Sequence, residues 1–131
     1  MLHKRNFENS KVRYFMKEYF VRIKWDSMIP EILGNENPGL QFYYKAIDCS
    51  RIQIVRPWKE QCMIVDEEFL LKHEPRLNII ASILANENIC GNVLICKEGF
   101  RNGEPDLIGF TMTEAFASVV AINQIVRACE G

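Results

Sequence analysis

Histidine is scarce in this 131-residue chain: only His3 and His73 occur, with no His-x-x-x-His or other metal-ligand spacing. Cysteine offers no alternative. Cys49, Cys62, Cys90, Cys96 and Cys129 form an odd set without a Cys-x-x-Cys pair and sit mostly in apolar runs, so they read as reduced core thiols of a reducing compartment. No zinc site and no disulfide framework is expected. The sequence also lacks a Gly-x-Ser-x-Gly elbow, a cysteine-centred nucleophile signature, and the glycine patterns of phosphate-binding and dinucleotide-binding loops; its seven glycines are spread as turn residues. The expectation is a non-enzyme without a cofactor. No apolar run approaches the roughly 20 residues that cross a bilayer, and the basic N-terminus carries neither the apolar block nor the small-residue cleavage site of a secretory signal. A cytoplasmic protein that spans no membrane is expected.

What is present suits one globular unit. Hydrophobic residues make up 48% and charged residues 25%, which excludes general disorder, and no repeat or linker divides residues 1–131. A chain of this length buries roughly two-thirds of its unfolded surface around a single core. Net charge is −1, but residues 1–25 hold seven basic side chains against Glu8 and Glu18, giving +5, while the remainder carries nine basic against fifteen acidic, giving −6. Such polarity guides an anionic ligand, or another subunit's acidic surface, to one end; a solvated basic arm explains it equally well. Residues 1–11 show no period and read as an arm ordered only against a partner.

From Tyr19 the pattern alternates, with Tyr19, Val21, Ile23 and Trp25 facing one way, which predicts a strand. Asp26 or Ser27 would cap a helical turn over Met28–Leu33, ended by Gly34. Three β-rich runs follow, Gln41–Ile47, Arg51–Val55 and Gln61–Val65, joined by connections of hairpin length. Leu77, Ile80, Ala81 and Leu84 have helical spacing, stopped at Asn86-Glu87-Asn88. Val93–Cys96 reads as a short strand, Lys97–Asp106 as an exposed loop and Leu107–Phe110 as another short strand. Thr111 and Glu114 then have capping-box spacing before a helix over Thr113–Cys129, whose apolar stripe is broad enough to be buried on two sides, one of them against another subunit. The order β-α-β-β-β-α-β-β-α predicts an α+β fold, a mainly antiparallel sheet with helices packed on one face.

An ordered series of segments carries a family resemblance: Ile47-Asp48-Cys49, Met63-Ile64-Val65-Asp66-Glu67-Glu68, Leu77-Asn78 with Ala81-Ser82, Ile89-Cys90-Gly91-Asn92-Val93-Leu94, and Leu107-Ile108-Gly109-Phe110-Thr111. Over about residues 44–125 the chain resembles a domain-of-unknown-function family of small proteins carried by bacteriophages, plasmids and other mobile elements. Phe69 departs from it, standing where the family has a small turn residue. The resemblance implies a mobile-element setting in a bacterial host and no known chemistry.

Two groups of residues are candidates for binding. Tyr43, Tyr44, Arg51, Arg56 and Trp58 fall around the predicted hairpins, beside Arg22, Lys24 and Trp25; aromatic faces stack on bases and guanidinium groups fork onto phosphates, as a nucleotide pocket requires. Aromatic packing in the sheet, with cations on its wet face, is the structural alternative. Asn78, Asn92 and Thr111 are explained by capping and turn duties, or would converge to line a cleft. Asp66-Glu67-Glu68 would collect oxygen ligands for a hard cation but lacks the alternate ligands and glycine of a calcium loop, so it reads as a solvated turn. The expected function is small-ligand binding by an oligomer, in its sharpest form the sequestration of a nucleotide immune signal to counter host defence. A module that inhibits a host protein is the second expectation and a small hydrolase the third. Duplex DNA is not an expected partner at this net charge.

Overall fold

The computed structural model of the chain describes residues 17–69 and 76–130; the proposed arm at 1–11, both histidines and Pro75 lie outside them. The described strands are β1 (Glu18–Ile23), β2 (Glu31–Asn35), β3 (Ile52–Val55), β4 (Gln61–Asp66), β5 (Val93–Arg101) and β6 (Glu104–Ile108). The described helices are α1 (Leu40–Ile47), α2 (Ile79–Ala85) and α3 (Met112–Glu130). All strand pairs are antiparallel and join in one sheet of order β2-β1-β5-β4-β3, with β6 also on β5. Strand β5 is the axis. Its first half pairs with β1 (Ile95 opposite Val21), its second half with β6 (Lys97 opposite Ile108), and its other edge with β4. The α+β class and antiparallel sheet of the sequence reading stand.

Four local expectations do not. The helical turn expected over Met28–Leu33 and ended by Gly34 gives way from Glu31 to the edge strand β2. No alternation marks it because both faces of the sheet are covered: Ile32 packs into one core and its neighbour Leu33 into the other. Gln41–Ile47, expected to be a strand, is helix α1. Its aromatic residues favour strand locally, but Tyr43, Ala46 and Ile47 fall on one helical face and are buried, so tertiary packing overrides propensity. Lys97–Asp106, read as a loop, is mostly the β5–β6 hairpin, turned by Asn102 and Gly103 with φ of 54° and 80°. Asn-Gly is the strongest short-range hairpin signal, because both turn positions need positive φ.

The fourth correction concerns the layers: the helices do not share one face. Strand alternation sends Val21, Ile23, Met63, Val65, Val93 and Ile95 to a core closed by α2, Phe110 and α3. It sends Phe20, Cys62, Ile64, Leu94 and Cys96 to a second core closed by α1. Phe20, Phe42 and Tyr43 interlock there at ring distances of 5.0–5.8 Å.

The chain enters α3 through a close approach. Tyr19 and Phe110 exchange backbone hydrogen bonds of 2.9 and 2.6 Å, and a Cβ on Gly109 would lie 2.6 Å from the Glu18 Cβ and 2.9 Å from the Tyr19 backbone. Only glycine fits. Arg101 closes the same corner with bonds of 2.8 and 2.9 Å to the two Glu18 carboxylate oxygens and one of 2.9 Å to Asp106, while the Gly109 N–H donates to Glu18 at 2.9 Å. Burial alone would raise the Glu18 pKa, but the Arg101 and Gly109 hydrogen bonds outweigh it and hold the carboxyl below its ordinary value of 4.5. Glu31, held by Arg22, and Glu114, held by the Thr111 N–H and Lys97, are lowered as well.

A depressed carboxylate adds stability that is present above its unfolded pKa and lost as pH falls through its folded one. The urea midpoint should therefore fall between neutral pH and about 3. Glu18→Gln should be less stable than wild type at neutral pH and decline less steeply on acidification. Equal slopes for the two proteins would show that the Arg101 clamp contributes nothing.

Candidate functional site

Among the described residues, the face of the sheet that carries α3 is incompletely covered. A helix is about 10 Å wide and shields roughly two strands at their spacing of ~4.8 Å. Helix α3 packs over β1 and β2, and α2, with seven residues, is too short to cover the remaining width. The uncovered strip is a groove of about 370 Å³ along the flank of α3. It is lined by the buried Ile95 and Phe110, by Ala117, Ala121, Ile122 and Ile125 of α3, by Trp58 from the β3–β4 connection and by Leu84 of α2. Gln61, Glu114 and Ser118 bring the polar groups. Trp58 is half-buried and packs against the core. The volume is that of a small-ligand pocket, and a largely apolar lining with a few polar groups is its usual composition.

The polar end is already organised. The Lys97 ammonium donates to both Glu114 oxygens at 2.9 and 3.2 Å, and Glu114 also accepts from the Thr111 N–H at 2.8 Å while its own N–H donates to the Thr111 hydroxyl at 3.1 Å. That is the capping box read from the sequence, and it places a carboxylate, already bonded to a cation, beside the groove.

The aromatic and basic residues of the sequence reading are dispersed. Trp58 alone of them lines the groove. Arg56, two residues earlier, is largely exposed and holds Glu98 at 2.8 Å. Arg51 stands at the opposite end of the β3–β4 hairpin, 4.0 Å from Glu68, with its backbone carbonyl accepting from Glu67. The four residues of β3 separate Arg51 from Arg56 by about 15 Å. Tyr43 lies on the other face of the sheet, inside the core under α1, where burial pushes its hydroxyl pKa up. Arg22 is fully engaged: it forks onto Glu31 at 3.0 and 3.1 Å and donates to the Ala46 carbonyl at 3.2 Å, tying the end of α1 to the sheet. Trp25 meets Arg76, whose guanidinium carbon is 4.5 Å from the indole centroid.

Asn78, Asn92 and Thr111 also do local work. Buried Asn78 accepts from the Ala81 N–H at 3.1 Å as the N-cap of α2, and its amide donates at 2.9 Å to the carbonyls of Ile23 and Gly91. Asn92 accepts from the Trp25 N–H at 3.0 Å. The two asparagines thus fasten the end of β1, and neither lines the groove. In the acidic run, Asp66 turns inward and accepts from the Glu68 N–H at 2.9 Å. Among the described residues no three His, Cys, Asp or Glu side chains gather as a metal site, and no helix is long and apolar enough to cross a membrane. The groove's lining was missed except for Trp58. Its signal was the row of small residues Ala117, Ser118 and Ala121 on one flank of α3, which leaves the space a larger side chain would fill.

Fold and groove together define a small α+β protein, its sheet covered on both faces, with a ligand-sized apolar recess beside its last helix. The chain belongs to the family described as Domain of unknown function (DUF3846), which matches residues 18–116. No curated protein and no solved structure matches it.

Asn78→Ala removes a cap and leaves two carbonyls without their donor, so it should lower stability by about 2–4 kcal/mol in urea unfolding. Asn78→Asp keeps the cap but cannot donate to Ile23 or Gly91, and should also be destabilised. A loss below about 0.5 kcal/mol for the alanine variant would release Asn78 from this structural duty.

Proposed function

We propose that the chain is a non-catalytic binding protein whose groove takes a small planar ligand, with the ring stacked on Trp58. The observation that carries this reading is an apolar recess of ligand size walled by an indole. Gln61 and Ser118 would read polar edges of the ring. A heteroaromatic base satisfies both demands, so a nucleotide is the favoured ligand class, and sequestration of a nucleotide signal in a mobile-element setting is its sharpest form. Phosphate recognition is the weaker half of the reading, because Arg56 would have to leave Glu98 and Lys97 is held by Glu114.

Stacking on an aromatic side chain is worth about 1–3 kcal/mol per base, so Trp58→Ala should weaken binding about tenfold or more. Trp58→Phe, which keeps a ring and most of the packing, should lose less. Calorimetry against bases, nucleosides and linear and cyclic nucleotides measures this, with thermal melting to confirm that each variant is folded. Native mass spectrometry of protein taken from nucleotide-rich lysate should show a retained small molecule. The proposal is wrong if nothing is retained and nothing in the panel binds, or if binding is indifferent to both substitutions in folded protein.

A second reading, self-association or capture of a host protein, is favoured by the outer side of α3. Met112, Phe116 and Val120 are 50%, 63% and 42% exposed, spaced four residues apart along one stripe. Covering this stripe with a second copy should give a light-scattering mass above 15.3 kDa at micromolar concentration, and Phe116→Glu should return it to 15.3 kDa. A wild-type monomer throughout that range would remove self-association.

A further inference from the structure

On the face of the sheet opposite the groove, Cys62 of β4 and Cys96 of β5 are direct cross-strand partners, both fully buried, with sulfurs 3.6 Å apart. These are the two central strands of the α1 core. The groove does not involve either thiol. We propose that Cys62 and Cys96 are a redox modification site, an internal dithiol that a peroxide-class oxidant closes into a cross-strand disulfide.

The geometry requires little movement. Directly opposed residues of an antiparallel pair have Cα atoms about 4.5–5.5 Å apart, inside the roughly 4.4–6.8 Å span of disulfides. The sulfurs have only to approach from 3.6 Å to about 2.05 Å, which rotation about the two Cα–Cβ bonds supplies. At this separation each sulfur lies within reach of the other, so whichever thiol ionises attacks and its partner resolves.

Access runs through α1. This helix has eight residues, and Gly39 at its N-cap supplies no side-chain hydrogen bond. Fraying of this uncapped N-terminus opens the cover locally and admits a molecule little larger than water. One thiolate of the pair attacks one peroxide oxygen and breaks the O–O bond, giving a sulfenic acid and, with one proton, water. The other sulfur then attacks the sulfenic sulfur and expels its hydroxyl, which leaves as a second water with the second thiol's proton. Two thiols lose two electrons, and hydrogen peroxide gains them.

The test treats the native full-length protein with hydrogen peroxide, then denatures it and counts thiols. All five cysteines start as thiols, so closure of the pair removes two of them, leaving three while Cys129 is still a thiol, and the linked peptide pair is lighter by two hydrogens. Peptide mapping should show a Cys62–Cys96 link, a dithiol reductant should restore five thiols, and the oxidised protein should melt at a higher temperature. Cys62→Ala and Cys96→Ala should each abolish the link; the wild-type peptide map decides the matter should either variant fail to fold. The proposal is overturned if Cys62 and Cys96 remain alkylatable after peroxide has modified exposed Cys129, or if the mapped disulfide joins either of them to Cys49 instead.

Discussion

Two backbone hydrogen bonds between Tyr19 and Phe110 determine where the last helix of the protein goes. They bring the exit of β6 against the entrance of β1, and they form only because residue 109 has no Cβ to meet Glu18 and the Tyr19 backbone. Phe110 is thereby driven into the core, and the next residue, Thr111, caps a helix that can run only across β1 and β2. Arg101, Glu18 and Asp106 close the corner from outside, so the end of the β5–β6 hairpin and the start of β1 move as one piece. The course of α3 and the position of the groove follow from this junction.

The sheet has two unequal covers. On one face α1 lies flat over Phe20, Cys62, Ile64, Leu94 and Cys96, and Phe42 and Tyr43 interlock with Phe20. On the other, α3 is long but displaced toward β1 and β2, and α2 is short, so a strip of sheet between them is roofed by neither. Trp58 stands at its border because the β3–β4 connection rises beside the uncovered strip. The same economy explains why most polar residues of promise serve structure. Every helix end and strand exit has backbone groups to satisfy, and Asn78, Asn92, Thr111 and Arg22 satisfy them.

Several features were legible in the chain itself because they depend on residues close in sequence. The alternation through Tyr19, Val21 and Ile23, the capping box of Thr111 and Glu114, the helix after Asn78 with its stop at Asn86, and the hairpin-length connection between β3 and β4 all rest on local periodicity or local hydrogen bonding. Composition and spacing were enough for the α+β class and the antiparallel sheet. The Asn102-Gly103 turn was equally local and was overlooked within a run that looked polar throughout.

Tertiary structure decided what depends on two sides at once. Ile32 and Leu33 are both apolar because each face of β2 meets a different core, and no one-sided pattern announces such a strand. Tyr43 looked available for a ligand until α1 turned it under the sheet, and Arg51 and Trp58, close in sequence, ended at opposite ends of a hairpin. The groove itself is a difference between the width of a sheet and the reach of two helices. By itself the sequence determined the kinds of element and their caps, because those energies are local; the side of the sheet each helix covers, and the gap left between them, arose only when distant strands paired.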